Sequence, residues 1–126
     1  MSRQWRVLRK AESGEVVLAR TRLCIGFWCH FKGLQLVPRL PEDEGLLFVT
    51  GFEGKAHTSI HMFFMRFPIA VVWLNAQGKV VDKAYAKPWR PAYAPRDPAR
   101  YYVEANPSLL ERINLGDTLR WDDVAT

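Results

Sequence analysis

Three groupings of side chains have the types that do chemistry. His57 and His61 stand four apart, and Glu42, Asp43 and Glu44 stand together before Gly45. Pro88-Trp89-Arg90-Pro91-Ala92-Tyr93-Ala94-Pro95-Arg96 alternates rigid rings with cations. On a helix the two imidazoles would share a face and could hold a metal. Their surroundings read as strand, however, where positions i and i+4 lie roughly 13 Å apart. One ion with bonds of about 2 Å cannot bridge that gap. Neither H-E-x-x-H nor C-x-x-C occurs, so no metal site is expected.

The three carboxylates would act as acid and base only if a pair flanked a substrate, at about 5–9 Å in glycosidases. Neighbours on a loop need a second carboxylate, such as Asp82, Glu104 or Asp117, to converge on them. A solvated loop, with one carboxylate capping backbone N–H groups, is the simpler expectation. No nucleophile elbow, phosphate loop or dinucleotide fingerprint is present, so neither a catalytic residue nor a cofactor is expected. The proline-rich loop is different. Its prolines pre-order the chain, so exposing Trp89 and Tyr93 loses little entropy on binding. Aromatic faces stack on sugars or bases, and Arg pairs with anions. The same rings could instead tuck onto the sheet and plug its end.

The elements that must position these groups follow from patterning. Trp5 to Leu8 and Val16 to Leu18 read as strands around Glu12-Ser13-Gly14. Leu23, Phe27 and Phe31, flanked by Cys24 and Trp28, recur at helical spacing, which predicts a short helix with Thr21 as N-cap and Gly33 just past its end. Leu46 to Val49 is an apolar strand buried on both faces. Ser59 to Met65 and Ile69 to Asn75 read as strands kinked apart at Phe67-Pro68. Asn75 to Gly78 is a turn from which Lys79 to Tyr85 pairs back as a hairpin. Residues 88–98 form an ordered loop, and Arg100 to Ala105 a further strand. Asn106 caps a short helix that starts at Pro107 and buries Leu109, Leu110 and Ile113. Thr118 to Trp121 closes the sheet. The expected fold is mainly β (α+β): a small antiparallel β sandwich or open barrel with two short helices.

At 126 residues the chain is expected to be one domain, 1–126, and its 48% hydrophobic and 25% charged composition excludes disorder. The start, Met1 to Arg6, lacks the apolar stretch of roughly 7–15 residues of a secretory leader. The most apolar segment, Ile60 to Leu74, is broken by His61, Arg66 and Pro68 and is shorter than the roughly 20 residues that span a bilayer. A cytoplasmic protein without membrane association is expected. Cys24 and Cys29 would lie about 140° apart on a helix, which favours two buried thiols over a disulfide or a metal pair. The net charge of +5 favours anionic partners.

Gly33-Leu34-Gln35, Leu40-Pro41-Glu42-Asp43-Glu44-Gly45-Leu46-Leu47-Phe48-Val49 and Ser59-Ile60-His61-Met62 resemble the domain-of-unknown-function family 192. So do Pro68 to Val81, Tyr102 to Ala105 and Ile113 to Asp117, which extends the likeness over about residues 15–121. The resemblance implies a small, mostly β domain of sandwich type, found in bacteria and archaea, many of whose members look exported. It supplies no activity and no catalytic residue. Against the family's S-x-W-M-x-N-T, this chain has His61 for Trp and Phe64-Met65 for Asn-Thr, and Ala70 replaces a frequent Asp. Apolar side chains thus replace a polar cluster usual in the family.

These readings combine into a non-enzymatic module that binds a small ligand or a protein in a shallow groove rimmed by Glu44, His61, Trp89, Arg90 and Tyr93. The first alternative is a nucleic-acid or other polyanion binder using Arg3, Arg6, Arg90, Arg96 and Arg100. The second is a hydrolase pairing Glu42 to Glu44 with His61. Ligand identity and oligomeric state are not encoded in any motif.

Overall fold

The computed structural model describes residues 5–25, 29, 33–35 and 38–123. Seven strands form one sheet: β1 (Trp5–Lys10), β2 (Val16–Cys24), β3 (Glu44–Gly54), β4 (Ile69–Leu74), β5 (Val80–Ala86), β6 (Ala99–Ala105) and β7 (Leu119–Asp123). Their order across the sheet is β5-β4-β6-β3-β2-β1-β7. Every pairing is antiparallel except that of β2 with β3, which is parallel. A parallel pair requires a long crossover, and residues 25–43 supply it.

The sheet curls into a half-barrel until its two outer strands meet. At one end a Lys79–Thr118 bridge joins the start of β5 to the start of β7. The Val80 N–H donates to the Asp117 carbonyl at 2.8 Å and the Leu119 N–H to that of Gly78 at 2.9 Å. This seam needs Gly78: its φ is +82°, and a Cβ there would lie 2.6 Å from the Leu119 carbonyl oxygen. Curling separates the side chains into two apolar clusters. Leu8, Leu18, Leu47, Val72, Val103 and Leu119 belong to the inner one, to which all seven strands contribute. Phe48, Val71, Trp73 and Tyr102 belong to the outer one, which the crossover and the chain from Ile60 to Phe67 cover. Alternation along β3, β4 and β6 assigns neighbouring residues to opposite clusters.

Two 3₁₀ helices occur among the described residues, Ala56–Thr58 and Pro107–Glu111. The second begins as its sequence requires: Asn106 Oδ1 accepts from the Ser108 N–H and Pro107 occupies the first turn. The first is tied to β4 by the Trp73 indole N–H, which donates to the Thr58 carbonyl at 2.7 Å.

Three local expectations are corrected. Thr21 to Cys24 belong to β2, so no helix begins at Thr21; the rest of that stretch, with Phe27, Trp28 and Phe31, lies outside the described residues. At Gly33, which is described, the N–H donates to the Cys29 carbonyl at 2.8 Å and φ is +49°. Ser59 to Met65 is not a strand: only Ile60 bridges, to Tyr93, and the chain then turns. The turn is local chemistry, because the Phe63 N–H donates to His61 Nδ1 at 3.2 Å and Phe64 adopts φ +64°. Cys24 and Cys29 form a disulfide with a Cα separation of 5.6 Å. The helical spacing argument fails because Cys24 ends a strand, from which the chain turns back.

Two outcomes follow. Gly78→Ala should lower stability by about 1–3 kcal/mol in urea unfolding, since it strains the backbone and opens the seam. An unchanged midpoint would mean that the seam does not hold the sheet closed. Opening the short Cys24–Cys29 loop by reduction should cost about 2 kcal/mol on chain-entropy grounds, read as a lower unfolding midpoint in a thiol reductant.

Candidate ligand-binding site

Strand β6 lies third from one edge of the sheet, between β3 and β4. Its residue Glu104 is paired with Leu46 on β3 and with Val71 on β4. Two positions earlier, on the same face, Tyr102 is paired with Phe48 and Trp73. The register therefore places a carboxyl group on the outer apolar face, 8% exposed. Among the described residues, no hydrogen bond or ion pair reaches that carboxylate. Burial raises its pKa from the ordinary value to about 8, because a low-dielectric site disfavours the charged form. The Tyr102 phenol is also held neutral above its usual range, by burial first and by the charge of Glu104 second.

Glu104 faces a cavity of about 80 Å³. Phe48 and Tyr102 form its floor, their rings stacked with centroids 4.5 Å apart and planes within 6°. One wall comes from the crossover. The left-handed Gly33 reverses the chain there, and Gly33 to Gln35 line the space, with Glu104 Oε1 3.7 Å from where a Gly33 Cβ would stand. The disulfide fastens this wall to the end of β2. The opposite wall is Ser59 to Met62 with Met65. Both methionines are buried, and His61 stands at the exposed mouth.

The proline-rich loop is laced to that second wall by main-chain bonds. Ile60 and Tyr93 exchange N–H···O bonds of 2.9 Å, the Met62 N–H donates to the Arg90 carbonyl at 2.9 Å, and the Trp89 N–H donates to the Met62 carbonyl at 2.7 Å. Trp89 and Phe64 then meet edge to face, with centroids 5.2 Å apart. They are 57% and 50% exposed, and they are the two non-glycine residues with positive φ among those described. Bulky residues in that conformation carry strain of order 1–3 kcal/mol each. His61 tilts against Phe63 at 5.1 Å.

Of the residues named from sequence, His61, Trp89, Arg90 and Tyr93 are thus brought together by one short ladder. Arg90 is exposed, whereas Tyr93 is half-buried and its hydroxyl accepts from the Lys87 N–H at 2.9 Å. Glu44 stands elsewhere, at the start of β3 with Arg20 Nε 3.9 Å away, and does not line the cavity. His57 stacks on Phe52 at 4.1 Å, where its Nε2 meets the Phe52 carbonyl at 2.6 Å. Arg96 contacts Asp82 at 3.8 Å, and Arg100 donates to the Thr50 carbonyl at 3.2 Å. Arg3 lies outside the described residues. Glu104 was weighed only as a partner for the acidic loop. The signal was there in Tyr102-Val103-Glu104-Ala105, a lone acid inside an otherwise apolar strand.

The curled mainly-β sheet, with a covered cavity on its outer face, sets the class of protein. The chain belongs to the domain-of-unknown-function family 192, described as "Uncharacterized ACR", which it matches over residues 9–121. It is 39% identical to a UPF0127 protein of Thermococcus gammatolerans over 111 residues, 86% of this chain and 67% of that one. The UPF0127 protein of Pyrococcus furiosus is 36% identical over 86% of this chain and 92% of its own. A crystal structure from Sinorhizobium meliloti, named a "putative transcription regulator", superposes with a TM-score of 0.82 at 21% identity, covering 93% of this chain and 92% of that one. A protein of unknown function from Novosphingobium aromaticivorans gives 0.78, also at 21%, over 93% and 84%. These two likenesses are of fold.

The Glu104 environment fixes a pH response. Between the ordinary value of 4.5 and about 8, the folded state keeps a proton that the unfolded state has released. Its contribution to stability is therefore complete below that window and is lost as pH rises through it, by about 1.4 kcal/mol per pH unit. Glu104→Gln should flatten this slope in denaturant unfolding. Parallel pH profiles of the two proteins would show that Glu104 ionises normally.

Proposed function

We propose that this protein is a non-enzymatic binding module that takes a small ligand into the cavity over Glu104, with Phe64 and Trp89 as an aromatic rim. The observation that carries the reading is Glu104, a buried carboxyl with no partner among the described residues, facing open space. Leaving such a group unpaired costs free energy, and a ligand that supplies its partner recovers part of that cost. The strained Phe64–Trp89 pair supports the same reading, since strain of this kind clusters at ligand clamps. Three of the four positions where this chain departs from the family's usual motif are at or next to the site: His61 and Met65 line the cavity and Phe64 precedes Met65, whereas Ala70 packs in the inner cluster.

His61, Trp89, Arg90 and Tyr93 divide between two roles in this proposal. Trp89 and His61 face the ligand, Arg90 offers an exposed cation at the edge, and Tyr93 holds the loop to the wall. Glu44 has none. Neither alternative gains a specific observation. Arg96 and Arg100 already have partners, and Glu44 is engaged by Arg20 rather than directed at His61. No helix among the described residues is long and apolar enough to cross a membrane. The Cys24–Cys29 bond supports an oxidising compartment over the cytoplasmic location expected from sequence, because structural disulfides persist mainly there.

A fragment screen followed on the Met62 and Met65 methyl resonances tests the proposal. Ligands should shift both methyls, and aromatic ones should bind about three- to tenfold more weakly to Trp89→Gly, the loss of one ring contact. The variant should keep its stability within about 1 kcal/mol, because glycine relieves the left-handed strain while loosening the unfolded chain. A folded variant with undiminished affinity would remove the rim from the site. A collapse of stability would make Trp89 a structural plug.

A further inference from the structure

We propose that the cavity receives the cationic head of a small organic amine or guanidinium compound, with the Glu104 carboxylate as counter-ion and the Phe64–Trp89 pair against its apolar remainder. This rests on the reading of the cavity as a ligand site. The argument for a cation is the lining. The protein carries a net charge of +5, yet among the described residues neither lysine nor arginine lines the cavity. The groups packed around Glu104 are Leu46 and Phe48 from β3, Val71 from β4 and Tyr102 from β6. Leu34 and Gln35 face it from the crossover, and His61, Met62 and Met65 from the opposite wall. His61 is the one imidazole among these lining residues, and it is exposed.

An anion entering this space would meet a carboxyl and two neutral ring faces, with no cation among the described lining residues and only the exposed Arg90 at the edge. A cation meets complementary surfaces. The faces of Phe48 and Tyr102 carry the negative side of the ring quadrupole, and the two thioethers are soft and polarisable. The volume of about 80 Å³ admits an ammonium or guanidinium head and leaves the rest of the molecule at the mouth. The exposed edge-to-face pair of Phe64 and Trp89 adjoins that wall: Phe64 lies between Met62 and Met65 in the chain, and the Trp89 N–H donates to the Met62 carbonyl.

The chemistry is an exchange of a proton for a cation. In the empty site burial keeps the acid protonated up to a pH of about 8. On binding, the carboxylic acid gives its proton to solvent and the resulting carboxylate pairs with the incoming ammonium, so one proton leaves for each cation bound. No bond other than that O–H breaks. Affinity should therefore rise about tenfold per pH unit below 8 and level off above it.

The test compares n-butylammonium and benzylammonium with n-butanol, benzyl alcohol, butyrate and benzoate on the full chain. Methyl shifts of Met62 and Met65 report occupancy, and calorimetry in buffers of different protonation enthalpy reports proton release. The expected result is that both ammonium ions bind at least tenfold more tightly than the alcohols and carboxylates, with release approaching one proton near neutral pH. In Glu104→Gln both the preference and the release should vanish while the unfolding midpoint is kept or raised. If that variant does not fold, the proton count and pH slope of the unaltered protein decide alone. Equal binding of alcohols and ammonium ions without proton release would overturn the cation assignment and leave the ligand site standing, as would a preference for the carboxylates. Methyl resonances unmoved by every probe at millimolar concentration would overturn both readings.

Discussion

A carboxyl group seated between Leu46 and Val71 on an otherwise apolar sheet face is the constraint around which the outer half of this protein is arranged. An isolated charge there would cost many kcal/mol, so the group takes a proton instead. The inner face has no such liability. Its cluster is hydrocarbon from every strand. That division lets the outer face tolerate an unfavourable residue: loosening the cover over Glu104 leaves the inner packing and the seam at Gly78 in place.

The cover is built from pieces that are not strands, and each is fastened separately. The crossover is anchored by the Cys24–Cys29 disulfide and by the turn at Gly33. The opposite wall is held at one end by the bond from the Trp73 indole to the Thr58 carbonyl, and along its length by the proline-rich loop. Main-chain hydrogen bonds to a proline-ordered loop fix position without spending side chains, which leaves Trp89 and Phe64 free to face outward. The enclosed space and its rim therefore depend on long-range pairing between residues about thirty positions apart.

Much of the sheet was legible from local signals. The apolar strand Leu46 to Val49, the strands Ile69 to Asn75 and Arg100 to Ala105, the Asn75 to Gly78 turn and the Asn106-Pro107 cap are each readable within a few residues, and all appear close to where the patterning puts them. What local signals could not carry was the meaning of a residue set by its neighbours in other strands. Glu104 looks like any strand acid until β6 is known to be flanked on both sides and covered above. The Cys24–Cys29 spacing reads as two unpaired thiols only if both lie on one helix, and the strand that ends at Cys24 removes that premise. Likewise the apolar run from Ser59 to Met65 reads as strand, yet a side-chain bond at His61 and a left-handed Phe64 curl it into a wall. His61, Trp89, Arg90 and Tyr93 are singled out by their chemistry and lie near one another, whereas Glu44 lies apart, because its distance from them along the sheet is a property of register.

Strain and burial at this site point the same way. A chain selected only for stability has simple remedies: Gln or Leu at position 104 would remove the buried acid, and Gly at positions 64 and 89 would relieve two left-handed backbones. Glu104 lies in the cavity and Phe64 and Trp89 adjoin one of its walls, whereas the buried hydroxyls of Thr21 and Ser108, which have no hydrogen-bond partner among the described residues, lie elsewhere. If the cavity takes a ligand as proposed, one that ionises the acid and stacks on the rings would recover part of the cost of burying Glu104 unpaired, so affinity would be coupled to the features that make the empty site less stable.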